Sequence, residues 1–295
     1  MKTLIVIGGA TASGKTDIAI DIAKYFSTGI LSADSRQCYR ELNIGVAKPT
    51  VAQLNTVEHF FINSHSIHEE VSAGEYEKYG LNILSDIFRE NDYAVCVGGT
   101  GLYIKALCEG IDNMPAIDKE TERQVNEDYK LKGMTWLQNQ VFACDRAFFE
   151  QAEIHNPNRL IRALVFKLST GESILNYRKK TVKQREFDIK YFAIGTPRGL
   201  LYNRINARVD KMIQDGLVSE AESLVGYKRL KPLQTVGYTE LFDYFDSKMP
   251  LEAAIEKIKQ HTRNYAKRQK TWFKHQSSYT WVEANYENII QALNG

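Results

Sequence analysis

The chain is poor in cysteine. Its four cysteines, Cys38, Cys96, Cys108 and Cys144, lie far apart, and none belongs to a C-x-x-C pair. That spacing speaks against a zinc site or a dithiol redox motif. Free thiols acting as small buried hydrophobes, in a reducing cytoplasm, are the expectation. No run of about 18 apolar residues occurs, so no membrane span is expected. The apolar start, residues 4–7, is too short for a signal-peptide core and runs straight into glycines. Internal repeats and low-complexity linkers are also missing. A strong net charge is lacking too, the formal value being only +2.

The 295 residues fit one large domain or two modest ones. A hydrophobic share of 43% and a charged share of 25% are ordinary for a globular protein, which excludes bulk disorder, collagen and coiled-coil arrays. The small net charge hides an asymmetry. Residues 1–150 carry 14 Lys/Arg against 21 Asp/Glu, and residues 151–295 carry 24 against 15. An anionic partner on the back half, nucleic acid or another anionic surface, fits this pattern. Two ordinary halves that differ by chance fit it as well.

Strand and helix patterns alternate along the first hundred residues. Residues 3–7 read as a β-branched strand, 16–25 as a helix, 30–32 as a short strand, 73–88 as a longer helix and 93–97 as a buried strand. That alternation predicts an α/β fold with a parallel, doubly wound sheet and helices on both faces. Ligands of such sheets collect at the carboxyl ends of the strands. After residue 112 the pattern changes to helices alone, among them 118–132 and 157–168, as in a helical insertion domain over 113–187. A strand at 190–194 returns to the core pattern. Helices at 198–215, 218–226 and 251–274, a strand at 279–282 and a terminal helix complete a core of 1–112 and 188–295.

Gly9, Ala10, Thr11, Ala12, Ser13, Gly14, Lys15 and Thr16 match G-x-x-x-x-G-K-[ST] in full, with a strand before and a helix after. The glycines let backbone N–H groups turn toward phosphate oxygens. The helix N-terminus adds partial positive charge. Lys15 supplies a point charge, and the Thr16 hydroxyl is placed to ligate Mg²⁺. P-loop NTPases hold that metal with an Asp at a strand end. Here the strand at 93–97 ends in glycines and Thr100. The acid nearest a strand end is Asp34, which suits a metal ligand, a general base beside the phosphate site, or a plain helix N-cap.

Further blocks complete a pattern. They are residues 32–37 with Tyr39, 44–49, 98–103, 158–164, 201–209, 234–240 and 262–273. Together with the phosphate loop, and in this order, they resemble the tRNA dimethylallyltransferases, also called tRNA isopentenyltransferases. The resemblance spans about residues 3–273. It implies transfer of a dimethylallyl group from its diphosphate to the exocyclic amine of the adenosine just 3′ of the tRNA anticodon, with Mg²⁺. It implies Asp34 as proton acceptor, Thr100 beside the base or the diphosphate, and Lys15 and Arg204 on the diphosphate. Thr11, Ser13 and Gly14 would add donors. The implied tRNA contacts are Asp34, Ser35, Arg36, Gln37, Thr100, Arg123, Asn158, Arg159, Leu160, Ile161, Arg162, Gln234, Thr235, Val236, Gly237, Tyr238, Thr239, Lys267 and Arg268. A monomer in the cytoplasm, with an anticodon stem-loop as partner, completes the implication.

The chain departs from the family pattern in places. Ala10 stands where a proline is frequent. Lys119 also replaces a proline, and Arg123 is shifted by one residue, which turns its helix face by about 100°. No Cys/His finger follows Trp272, as in bacterial-type members. Arg178, Lys179, Lys180, Lys183 and Arg185 read as a mobile, solvated basic loop. Two other classes compete with prenyl transfer. A nucleoside or small-molecule kinase would use Asp34 as base or metal ligand, but leaves the basic back half unexplained. A non-catalytic RNA-binding protein would require a broken site.

Overall fold

The computed structural model describes residues 2–179 and 181–294. They divide into two compact units, Met1–Gly110 with Gln184–Gly295, and Ile111–Lys183. Residues 184–187, expected in the insertion, pack with the sheet unit instead. Phe187 lies against its core, and Arg185 is buried within it.

Six parallel strands form the first unit: β1 (Thr3–Gly8), β2 (Ile30–Ser32), β3 (His59–Phe60), β4 (Tyr93–Gly98), β5 (Asp188–Ile194) and β6 (Thr280–Val282). Their spatial order is β3-β2-β4-β1-β5-β6. The register of β1 runs from Thr3 opposite Tyr93 to Gly8 opposite Gly98.

The helices in chain order are α1 (Lys15–Tyr25), α2 (Val51–Leu54), α3 (Ala73–Glu90), α4 (Gly101–Glu109), α5 (Lys119–Cys144) and α6 (Arg146–Gln151). Then come α7 (Pro157–Thr170), α8 (Arg198–Gln214), α9 (Leu217–Ser223), α10 (Tyr238–Phe245), α11 (Leu251–Lys274) and α12 (Tyr286–Asn294).

Strand side chains alternate between faces, and here both faces are covered, so β1 and β4 read as unbroken apolar runs. Ile5, Ile7, Val95 and Val97 pack with Ile18, Ile22 and Ile289 of α1 and α12. Leu4, Val6 and Cys96 point the other way, into a core with Tyr76, Leu84, Leu107 and Phe273 of α3, α4 and α11. A capping box starts α3: the Ser72 hydroxyl accepts from Glu75 N at 3.2 Å, and Glu75 Oε2 accepts from Ser72 N at 2.5 Å.

The second unit is helical. Asp118 caps α5 by accepting from Thr121 N at 2.8 Å. The helix was expected to end at residue 132. It breaks at Gly133 (φ 75°) but resumes to Cys144, because Leu137 and Val141, four apart, reach a core shared with Phe148, Leu160 and Leu164. Pro157 opens α7 and Gly171, with φ 76°, closes it.

Candidate active site

The chain leaves β1 at Gly8 and enters the phosphate loop. Gly14 (φ 89°) stands at the N-cap of α1, a left-handed position that glycine takes without a Cβ penalty. Ala12 also has positive φ, at 62°, which costs an alanine about 1 kcal/mol or more. The loop is held by its surroundings. Lys15 Nζ donates to Ala10 O at 3.1 Å, Arg208 Nη1 donates to Thr11 Oγ1 at 3.3 Å, and Thr11 N donates to Gln269 Oε1 at 2.8 Å. Ser13 Oγ is buried and has no partner. A Cβ on Gly14 would lie 4.0 Å from Arg204 Nη1, so Arg204 borders the same loop. Arg204 and Arg208, four apart on α8, share a helix face.

Three cations, Lys15, Arg204 and Arg208, thus meet around this loop. Burial, and then the neighbouring Arg208, push the Lys15 ammonium down to about 8, while Asp34 pulls it back up. Burial lowers the Arg208 guanidinium as well. Such crowding of like charge is what a bound polyanion would relieve.

Asp34 follows β2. Its Oδ1 accepts from Arg36 N at 2.9 Å and Gln37 N at 3.3 Å. No helix follows Asp34, so it is not a helix N-cap; it caps the turn at 35–38 through Oδ1, leaving Oδ2 for another donor. Thr100, just after β4, makes three hydrogen bonds to this turn, one of them from its Oγ1 to Ser35 Oγ at 3.5 Å. Its N–H donates to Ala33 O at 3.1 Å, and its Oγ1 accepts from Ser35 N at 3.1 Å. Gln37 Nε2 donates to Ala47 O at 2.9 Å, which seats the 44–47 loop. Burial, and then Asp34, raise the Tyr265 hydroxyl to about 12 and the Cys38 thiol to about 12. Both stay protonated beside the carboxylate. The ends of β1, β2 and β4 thus bring the phosphate loop, Asp34 and Thr100 together, with Lys15 and Asp34 close enough to interact.

A cleft of about 490 Å³ opens between α10 and α11, lined by Gln234, Thr235, Val236 and Thr239 on one wall and Lys257 and Arg268 on the other. Lys267 and Arg268 are exposed on α11, and Arg268 lies 5.7 Å from the Tyr265 ring centre. Gly237 and Tyr238 differ from the contacts expected of them. Both are buried. Gly237 N donates to Glu240 Oε2 at 2.8 Å and the Tyr238 hydroxyl to Glu220 Oε1 at 2.6 Å, so these two support the cleft rather than face an RNA.

In the helical unit Asn158, Arg159 and Arg162 are exposed on α7, and Ile161 is half-buried. Leu160 has no exposed surface, so it packs in the core and leaves the contact set. Arg123 is exposed but engaged: it binds Glu120 at 2.5 Å and Glu127 at 2.8 Å. Arg178 stacks 5.5 Å from the Phe148 ring centre, and burial, then Arg162 and Arg159, lower its guanidinium. Of the expected solvated run, Lys179 is exposed and Lys180 lies outside the described residues. Arg185 is overturned as a solvated residue. Its Nη2 donates to Glu77 Oε1 at 2.8 Å and to Ala106 O at 2.9 Å, with only 9% and 8% of the two side chains exposed.

Comparison with known proteins decides the family. Residues 37–276 match the family model "IPP transferase". The chain belongs to the IPP transferase family. It is 42% identical to a tRNA dimethylallyltransferase of Christiangramia forsetii over 98% of this chain and 97% of that one. It is 39% identical to tRNA dimethylallyltransferase 1 of Bacteroides fragilis, over 98% and 96%. The crystal structure of a full-length tRNA isopentenylpyrophosphate transferase from Bacillus halodurans superposes with a TM-score of 0.72 at 29% identity, covering 99% of this chain and 94% of that one. A eukaryotic dimethylallyltransferase acting on tRNA gives 0.75 at 25% identity, over 97% and 74%.

Within this IPP transferase, sequence reasoning missed three side chains that touch site segments. Arg208 hydrogen-bonds the phosphate loop; its signal was the four-residue spacing from Arg204. Glu220 accepts from Ile44 N at 2.8 Å and Gly45 N at 3.0 Å, and so joins the 44–47 loop to Tyr238. Gln269 is the third. Nothing in the composition of α9 or α11 marks the last two, since their partners lie far away in sequence. Among the described residues no group of three or more His, Cys, Asp or Glu side chains is arranged to hold a metal. Thr16 is half-buried in the first turn of α1.

Proposed function

We propose that this chain transfers a dimethylallyl group from dimethylallyl diphosphate to the exocyclic amine of the adenosine 3′ of the anticodon in tRNA, releasing diphosphate. One observation carries the reading: a carboxylate with a spare oxygen, Asp34, stands beside a cation-lined phosphate loop. β4 ends at Gly98 and is followed by Gly99 and Thr100, so the acid that a P-loop kinase places at a strand end is missing there. Family membership and near full-length likeness to tRNA dimethylallyltransferases favour prenyl transfer over the kinase alternative.

The amine nitrogen attacks the allylic carbon, the carbon–oxygen bond breaks, and its electrons leave with diphosphate. Lys15, Arg204 and Arg208 take up the charge that develops on the leaving oxygen, together with the N-terminus of α1. The backbone of Gly9, Ala10, Ala12 and Gly14, and the hydroxyls of Thr11 and Ser13, shape the cradle. Thr16 would hold Mg²⁺ here, and that ion would supply further charge neutralisation. Asp34 Oδ2 accepts the proton that the amine loses, and Thr100 holds the Asp34 turn. No enzyme nucleophile is required, because an allylic diphosphate ionises readily and positioning dominates.

A stacked base cannot reach this site, so the adenosine is flipped out. Ser35, Arg36 and Gln37 flank its entry, and the cleft of Gln234, Thr235, Val236 and Thr239 takes adjoining loop nucleotides. Lys267, Arg268, Arg159 and Arg162 meet phosphates. The chain acts as a cytoplasmic monomer. The test incubates the protein with dimethylallyl diphosphate, Mg²⁺ and tRNA lacking the modification, followed by nucleoside mass analysis. An isopentenyl mass shift is expected. Its absence, with ATP turnover on a small acceptor, overturns the reading.

A further inference from the structure

The leaving group and the proton acceptor stand on different strands. The phosphate loop follows β1 and Asp34 follows β2, and β4 lies between them in the sheet. Their alignment therefore depends on how the turn after β4 is tied to each neighbour. On the Asp34 side the tie is Thr100, through Ala33 O and Ser35 N. On the phosphate side it is one buried amide. Gln269 Oε1 accepts from Thr11 N at 2.8 Å, and its Nε2 donates to Gly99 O at 3.0 Å. The side chain is 6% exposed.

The local sequence is shaped around that amide. A Cβ on Gly99 would collide with Gln269 Nε2. The next residue of α11, Lys270, donates from Nζ to Thr196 O at 3.2 Å in the turn after β5. Successive residues of α11 thus hold the turns after β1, β4 and β5. The exposed Lys267 and Arg268 immediately precede them. Both functional atoms of Gln269 are used, each with a partner of the opposite kind. Neither glutamate nor leucine can reproduce that pairing.

We propose that Gln269 is a positioning residue for the transfer reaction. It registers the diphosphate cradle against the turn that carries Thr100, and through Thr100 against Asp34. The proposal rests on the functional reading above. Gln269 touches no reacting atom; it fixes the distance across which the transferred carbon moves. It also commits Thr11 N to the protein, and Ser13 N donates to Ala10 O at 3.3 Å, so neither of these two N–H groups is left for the cradle.

The experiment compares wild-type protein with Gln269→Leu and Gln269→Glu. Glutamate keeps an acceptor for Thr11 N but sets a carboxylate against Gly99 O. Four quantities are measured: kcat per active site, KM for dimethylallyl diphosphate at saturating tRNA, Kd for inorganic diphosphate, and Kd for an anticodon stem-loop. In Gln269→Leu, kcat and diphosphate affinity are each expected to fall about tenfold, the worth of a good hydrogen bond, while stem-loop affinity changes less than twofold. Gly99→Ala, which displaces the amide, is expected to reproduce this pattern, and its effects are not to add to those of Gln269→Leu. If Gln269→Leu fails to fold, Gly99→Ala and Gln269→Glu carry the same comparison. Unchanged kcat and diphosphate Kd per folded molecule, with a lowered melting temperature only, overturn the proposal. So does additivity of the two substitutions. A wild-type protein that does not modify tRNA at all refutes the functional reading instead.

Discussion

Lys15 is held in the phosphate loop at a cost to the folded chain, and removing its charge should stabilise the protein while disabling it. Burial and Arg208 lower its ammonium to about 8. Each tenfold loss of proton affinity corresponds to about 1.4 kcal/mol, so the fall from the ordinary lysine value amounts to about 3 kcal/mol. Partial exposure of Lys15 and the lost bond to Ala10 O reduce the net gain of Lys15→Met, and about 1–2 kcal/mol at pH 7 is expected. The sign with pH is defined. Below pH 8 both folded and unfolded wild-type chains carry the proton, and the cost is complete. Between pH 8 and the unfolded lysine value the folded chain has released the proton and the unfolded chain has not, so wild-type stability gains on the variant. Urea denaturation at pH 7, 8.5 and 10 measures the gap, which should shrink at each step. Added inorganic diphosphate should stabilise wild type more than Lys15→Met, which keeps Arg204 and Arg208 at the loop. A variant less stable than wild type at pH 7, or a gap indifferent to pH, refutes the reasoning.

Three further outcomes follow from particular contacts. Asp34→Asn keeps an oxygen to accept from Arg36 N and Gln37 N, so its melting temperature should stay near wild type while single-turnover transfer falls about 10²–10⁴-fold; unimpaired transfer removes Asp34 as the base. Arg185→Ala leaves Glu77 with a broken buried pair and should cost about 3–5 kcal/mol by urea denaturation, whereas a truly solvated arginine would cost almost nothing. Lys267→Ala with Arg268→Ala should weaken stem-loop binding and flatten the slope of log K against log salt by about 2, leaving diphosphate affinity unchanged.

The sheet was legible because its signals are local. Two-sided burial writes β1 and β4 as apolar runs, and the phosphate loop carries its own spacing. Elements lacking such signals escaped. The two residues of β3 are too few for a pattern, α4 begins directly after a glycine turn, and α10 is only eight residues long. Asp34 presented a choice between helix cap and catalyst that spacing could not resolve; no helix follows it, and the turn it caps uses one carboxylate oxygen and leaves the other. Block resemblance named stretches of chain, not side chains. It could not separate exposed Arg159 and Arg162 from buried Leu160, because a helix turns every residue between them to a different face.

The charge asymmetry shows the same limit from the other direction. An excess of cations in residues 151–295 suggested an anionic partner, and a cation count treats them alike. The fold assigns them to different work. Arg204 and Arg208 turn back onto a phosphate loop formed in the acidic half, Lys270 ties the turn after β5, and Arg185 is buried against Glu77. Lys267, Arg268, Arg159 and Arg162 remain exposed. Part of the basic excess therefore lies against the 9–16 loop and in the core, and only the remainder is exposed to a partner such as an RNA. The salt dependence of stem-loop binding should accordingly be shallower than the full basic count suggests, since a cation that is buried or committed to diphosphate releases no counterion from the RNA.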